Sequence, residues 1–171
     1  MAIPVTIEDA RRQIRLEEDD ESKDADLRQF IDDAAAWVEE YTGHILVARD
    51  VEFSFYGDSV AHLRAWPIAS NAAAAVTYKD AAGATVVAAG ALFNSSRRPA
   101  RLTPPRNLAQ TAYAVTIRAG YEASDVVPGN FRRAMLILIS AYDSDREGGE
   151  IFQTAEASAR RLCSRFRARR L

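Results

Sequence analysis

Cysteine and histidine are scarce in this chain, and what they exclude narrows its chemistry at once. Cys163 is the single thiol among 171 residues, which rules out an internal disulfide and any zinc site built from a cysteine cluster. The two histidines, His44 and His62, are not one helical turn apart, so the two-histidine metal helix is missing. No apolar run approaches the roughly 20 residues that span a bilayer. The opening MAIPVTIEDARR lacks the basic-then-apolar pattern of a secretory signal, and no membrane partner is expected. There is no glycine-rich phosphate loop and no Gly-x-Ser-x-Gly elbow. Arginines beside Cys163 could lower its pKa, but a nucleophile also needs a positioned base, and none is evident. A small semi-buried thiol is the better reading. Catalytic residues, metal ligands and cofactors are therefore expected to be none, and the chain is not expected to be an enzyme.

Charge is unevenly distributed, and the end of the chain is basic. Residues 160–171 hold Arg160, Arg161, Arg165, Arg167, Arg169 and Arg170 and no carboxylate. Residues 1–45 are the reverse, with thirteen acidic against five basic residues. A near-neutral total thus hides an acidic start and a basic finish. That asymmetry suits attraction between copies, or an acidic partner for the tail. Leu162, Phe166 and Leu171 interleave with the arginines, favouring an anchor with apolar contacts over a purely electrostatic tail. Nucleic-acid binding through phosphate neutralisation is the alternative.

The stretch Asp24 to Gly43 organises the rest. Leu27, Phe30, Ile31, Ala34, Ala35, Trp37, Val38 and Tyr41 recur at i, i+3, i+4, i+7, which predicts an amphipathic helix with a wide buried face. Asp24 is the expected N-cap and Gly43 the left-handed stop. Asp32, Asp33, Glu39 and Glu40 read as a solvated face rather than a carboxylate dyad. Thr6-Ile7-Glu8-Asp9 resembles a capping box for an earlier helix over 7–16. Glu17 to Lys23 reads as a solvated acidic linker, without the glycine and ordered alternation of a calcium loop.

After Gly43 the period falls to two. Val51, Phe53 and Phe55 predict a half-buried strand, and Tyr113, Val115 and Ile117 another. Shorter extended segments lie at Leu63–Trp66, Leu92-Phe93 and Arg101-Leu102, with a hairpin around Asp80-Ala81-Ala82-Gly83-Ala84. Pro128-Gly129-Asn130 then opens a helix over 130–145. Phe131, Met135, Leu138, Ile139 and Tyr142 share its main face, while Leu136 and Ile137 make it apolar nearly all round, hinting at burial against another subunit. Asp143 to Gly149 is a polar break, and Thr154 is the expected cap of a last helix over 154–168. The expected class is α+β: a mainly α-helical core of about four helices with an inserted small antiparallel β region. One domain is expected, with the helical core over 5–45 and 128–150, the β insertion over 46–119, and the C-terminal helix and basic tail over 151–171. Leu27, Phe30, Ile31, Trp37, Val38 and Tyr41, with Phe131, Met135, Leu138, Ile139 and Tyr142, are expected in the helical core or in subunit contacts.

Several stretches together resemble a known family. They are Val5-Thr6-Ile7-Glu8-Asp9-Ala10; Asp24 to Gly43 with its Trp-Val-Glu-Glu-Tyr-Thr-Gly ending; Val76-Thr77-Tyr78-Lys79-Asp80-Ala81-Ala82-Gly83; Val115-Thr116-Ile117-Arg118-Ala119-Gly120-Tyr121; and Val127-Pro128 before the helix from Phe131. In order and spacing they are similar to the head-tail connector proteins of long-tailed bacteriophages, also called adaptor or head-completion proteins, including those of phage-like gene transfer agents. The similarity covers nearly the whole chain. One departure is the tail, where Cys163-Ser164-Arg165-Phe166-Arg167 stands in place of the family's apolar-Pro-Tyr-Arg type ending.

The resemblance implies a structural virion protein of the neck, made in the host cytoplasm before assembly. Roughly twelve copies would form a cyclic ring, each interface heterologous. The ring would dock beneath the portal protein after DNA packaging, meet the next neck or stopper protein, and let double-stranded DNA pass through its lumen without sequence specificity. In the tail, like charges one turn apart repel and call for an outside anion, so Arg160, Arg161, Leu162, Arg165, Phe166, Arg167, Arg169, Arg170 and Leu171 are expected to bind the portal or another partner, with the tail mobile until it is bound. The alternative is a small nucleic-acid-binding module using the same arginines.

Overall fold

The structure, a computed structural model, describes residues 4–17, 19–69, 72–145 and 147–167. Among them are four α-helices and two small antiparallel sheets, an α+β fold. The chain divides into two compact units, one built from residues up to Val47 and from Tyr121 onward, the other spanning Ala48–Gly120.

The first unit is helical. Helix α1, Ile7–Gln13, starts at a full capping box: the Asp9 amide donates to Thr6 Oγ1 and the Thr6 amide to Asp9 Oδ2, each at 3.2 Å. It stops three residues before the expected Leu16, because Arg15 turns into the left-handed region at φ 64°. The Leu16 amide instead closes back on the Arg11 carbonyl at 3.0 Å.

Helix α2, Asp24–Thr42, has the expected length and ends on Gly43 at φ 70°. Its start corrects the expectation for Asp24. Lys23 holds the cap position without a side-chain bond, and Asp24 is the first helical residue. Its carboxylate is taken by Arg11: Nε donates to Oδ1 at 2.9 Å, and Nη2 to Oδ1 and Oδ2 at 2.7 Å each. Both residues are buried. A two-pronged charge-assisted pair outcompetes a neutral amide for a carboxylate, so Asp24 ties α1 to α2. Glu39 also leaves the solvated face assigned to it: its Oε1 accepts from the Leu46 amide at 2.7 Å and fixes the chain after the helix.

Helix α3, Gly129–Ser144, packs against α1, α2 and the last helix, α4, Glu150–Cys163. Three neighbours within one unit cover most of its apolar circumference, and Leu136 and Ile137 stay half-buried. Helix α4 begins four residues before the expected Thr154. Asp145 supplies the cap from the preceding link: Oδ1 accepts from the Gly149 amide at 3.0 Å and Oδ2 from the Phe152 amide at 3.2 Å. A Cβ on Gly149 would lie 3.0 Å from Asp145 Oδ2, so a residue without one suits that approach.

Leu27, Ile31, Val38, Phe131, Met135, Leu138 and Ile139 form the buried centre of this unit, joined by Ala159 and Cys163 of α4. Phe30, Trp37, Tyr41 and Tyr142 are half-buried at its margin rather than central. Large rings at the edge of a helix face cover the smaller residues behind them while keeping a polar tip wet.

The second unit holds both sheets. The four-stranded one has the order β1-β7-β3-β4 and the three-stranded one β2-β6-β5. The strands are β1 Arg49–Tyr56, β2 Ala61–Leu63, β3 Ala74–Lys79, β4 Thr85–Val87, β5 Leu92–Asn94, β6 Ala100–Thr103 and β7 Ala112–Ala119. Register places Val51, Phe53 and Phe55 opposite Ile117, Val115 and Tyr113, so the two alternating patterns fall on one face. The β3–β4 hairpin closes on Asp80, whose Oδ1 accepts from the Ala82 and Ala84 amides at 2.9 Å each, with Gly83 at φ 82°.

Candidate functional site

The sequence directs attention to the basic end, and α4 decides how its side chains are dealt out. The helix continues into a 3-10 turn, Ser164–Phe166. At 3.6 residues per turn, alternate positions of this stretch fall on opposite sides. Cys163 is fully buried, while Leu162 and Phe166 are half-buried against the helical core. Phe166 meets the Phe131 ring edge-on at 4.7 Å and the His44 ring at 5.9 Å. The Asn130 Nδ2 donates to the Leu162 carbonyl at 3.0 Å, satisfying one of the open carbonyls at the helix end. The expected apolar anchors of the tail are thus packed into the unit's own core. Arg160, Arg161, Arg165 and Arg167 remain exposed. Arg169, Arg170 and Leu171 lie outside the described residues.

The exposed arginines do not form one cluster. Arg160 and Arg167 converge on Tyr41, their guanidinium carbons 5.9 Å and 5.2 Å from its ring centroid. Tyr41 stacks on Trp37 at 5.1 Å with the planes 11° apart. Glu156 joins the two halves: its Oε1 accepts from Trp37 Nε1 at 3.1 Å and from Arg160 Nη2 at 2.8 Å. These two bonds, the Arg160 one foremost, hold the Glu156 carboxyl below its ordinary range, and the same contact raises Arg160. Arg165 lies over the Phe166 ring at 4.6 Å. Arg161 projects from another side of α4.

Three guanidinium groups therefore lie against aromatic rings, with Arg160 also tied to Glu156. Planar donors fixed in this way suit carboxylate or phosphate groups. A signal for this platform is present in the sequence. Trp37 and Tyr41 are one turn apart, as are Glu156 and Arg160, and both spacings place side chains together on a helix surface.

The remaining reactive groups are engaged structurally. His44 is buried, with Nδ1 2.8 Å from the Tyr121 hydroxyl. His62 is exposed on β2. Burial pushes the Cys163 thiol up to about 11, the opposite of activation by its arginine neighbours, which face away. Among the described residues no three His, Cys, Asp or Glu side chains are grouped to hold a metal ion. No helix is long and apolar enough to cross a membrane.

The geometry is that of arginines set against aromatic rings on an α+β scaffold. No protein-family model matches the chain, and no curated protein matches it. Solved structures do. A chain of the neck of an empty gene transfer agent (GTA) particle, computed with C6 symmetry, superposes with a TM-score of 0.75 at 21% identity, over 100% of this chain and 94% of that one. A chain of the virion of a native GTA particle gives 0.76 at 21% identity over the same shares. A chain of the neck of a native GTA particle, computed with C12 symmetry, gives 0.71 at 22%, again over 100% and 94%. The chain shares the fold of these proteins along its whole length.

Proposed function

We propose that this chain is a structural protein of a virion neck, a ring-forming connector between capsid and tail rather than an enzyme. The observation that carries this reading is the end-to-end match of fold to chains from GTA necks, with both units included. In this reading about twelve copies close into a ring with heterologous interfaces. The ring docks to the portal protein after packaging, meets a downstream neck or stopper protein, and surrounds the passing DNA. It is made in the cytoplasm and ends in the particle.

Arg160, Arg165 and Arg167, with Arg169, Arg170 and Leu171 beyond them, are the proposed portal-facing groups. Leu162 and Phe166 act one step back, by holding the 3-10 turn that presents the arginines. The partner surface is carboxylate-rich, because guanidinium groups on aromatic faces gain most from planar anions.

The test is twofold. Particles are imaged with the chain labelled, and a neck position is expected; label on the shell or tail shaft overturns the reading. Portal binding is then measured for wild type and for Arg165→Glu/Arg167→Glu, alone and with residues 168–171 deleted. Charge reversal is expected to abolish binding with the fold intact. Portal binding at wild-type affinity removes the arginines from the site. Salt-sensitive DNA binding, lost with the same variants, moves the chain to the nucleic-acid-binding alternative.

A further inference from the structure

Helices α3 and α4 run antiparallel, and on the side of the pair away from α2 they leave an open groove of about 610 Å³. Ile137, Ser140 and Ser144 line it from α3 and Ile151, Thr154 and Ser158 from α4, with Glu150 in the first turn of α4 and Gln13 of α1 also on its wall. Ile151 is 58% exposed, a large aliphatic side chain without cover. Two of the hydroxyls are turned back on their own helices: Ser144 donates to the Ser140 carbonyl at 2.9 Å and Ser158 to the Thr154 carbonyl at 3.0 Å. The floor is therefore small-sided, which lets another helix approach to about 8–10 Å between axes.

One end of the groove is basic. Arg161 lies three residues beyond Ser158, on the stripe that contains Thr154 and Ser158. Arg133 lies four residues before Ile137 on α3. The Asn130–Leu162 bond sets the first turn of α3 beside the last turn of α4, so both arginines stand at the same end. Both are exposed.

The opposite side of the same unit carries the complement. Gln29, Asp32, Ala36 and Glu40 follow one another at three- and four-residue steps along α2, and all are exposed, as is Asp33. This stripe lies opposite Leu27, Ile31, Ala34 and Val38, which face the core. It is acidic, and Ala36 at its middle leaves room for a close crossing.

We propose that the α3–α4 groove receives the outer face of α2 from a second copy of this chain. Ala36 would sit over the serine and threonine floor, against Ile137 and Ile151, and the carboxylates of Asp32 and Asp33, one turn from Ala36, would reach Arg133 and Arg161. Because groove and stripe lie on opposite sides of one unit, each copy offers both, and the contact repeats head to tail. Such a heterologous contact closes into a ring or runs on as a filament. This pairing rests on the neck reading for its biological setting but not for its geometry. It also separates Arg161 from the portal-facing arginines.

The experiment is disulfide trapping in the full chain. Ala36→Cys is combined in turn with Ser140→Cys, Thr154→Cys and Ser158→Cys, and each variant is checked for wild-type circular dichroism. Native Cys163 is buried and stays silent. Oxidation of purified particles containing a double variant is expected to give a ladder of covalent dimers, trimers and higher species. Each single variant is expected to stay monomeric. No ladder from any of the three, in particles that contain the chain, overturns the groove pairing and leaves the neck reading standing. Dimers from Ala36→Cys alone mean two-fold packing of α2 and also overturn it. If the chain is absent from particles, the neck reading fails, and oxidation of the concentrated purified protein decides the groove pairing by the same criteria.

Discussion

Removing the Phe166 ring tests whether the C-terminal turn belongs to the core of its own chain. A fully buried aromatic side chain removes about 150–250 Å² from water. Phe166 is half-buried, so the area at stake is about 100 Å², or about 2.5 kcal/mol at ~25 cal/mol per Å². Its edge contacts with Phe131 and His44 add about 0.5–1 kcal/mol. The unfolded chain already hides part of that surface, which lowers the sum. Phe166→Ala is therefore expected to cost about 2–3 kcal/mol. For a chain of this size that lowers Tm by about 5–10 °C. Leu138→Ala serves as the internal scale, being fully buried in the same cluster, with an expected cost of about 2–5 kcal/mol. Both are read by thermal and urea denaturation followed by circular dichroism. If Phe166→Ala melts at the wild-type temperature while Leu138→Ala does not, the 3-10 turn is not part of the core. Phe166 would then be free to anchor in a partner, and the division between buried and portal-facing residues would be wrong.

Three further outcomes follow from the same contacts. Asp145→Ala removes the acceptor of two amides at the start of α4 and is expected to cost about 1 kcal/mol; unchanged stability would mean that water caps the helix equally well. Cys163 should resist thiol reagents at pH 8 in the native protein and react on denaturation, since burial holds its thiol near 11; rapid native labelling would refute its placement. Stability should fall in acid. Burial alone would raise Asp9, but the Thr6 amide and the Arg132 guanidinium more than offset it, and Glu156 is lowered by Arg160 and Trp37. Both carboxyls are depressed in the folded state, so their contribution is complete at neutral pH. It is lost as pH falls from the ordinary values of 4.5 and 3.8 through the lower folded ones. Asp9→Asn with Glu156→Gln should flatten the denaturation profile below about pH 4.5, and an unchanged slope would assign the acid sensitivity elsewhere.

The sequence by itself determined what depends on neighbours along the chain. A 3.6-residue apolar period and a glycine able to turn left-handed bounded α2 at Asp24–Thr42. Reciprocal bonds three residues apart made Thr6 and Asp9 a capping box. Strict alternation marked β1 and β7, and a glycine after Asp80 marked the hairpin. Only the tertiary structure decided which distant groups meet. Asp24 has the right side chain for a cap, but Arg11 from another helix takes it. Thr154 looks like a helix start, but Asp145 begins α4 four residues earlier. The arginines follow closely in sequence, but α4 sends Arg160 to Tyr41 of α2 while Arg165 lies over the Phe166 ring. Phe166 reads as a free anchor until Phe131 and His44 are found against it. Periodicity gives the angle at which a side chain leaves its own helix. It carries no information about what another helix brings to that angle, and charge pairing, capping from afar and ring stacking are settled by that second helix.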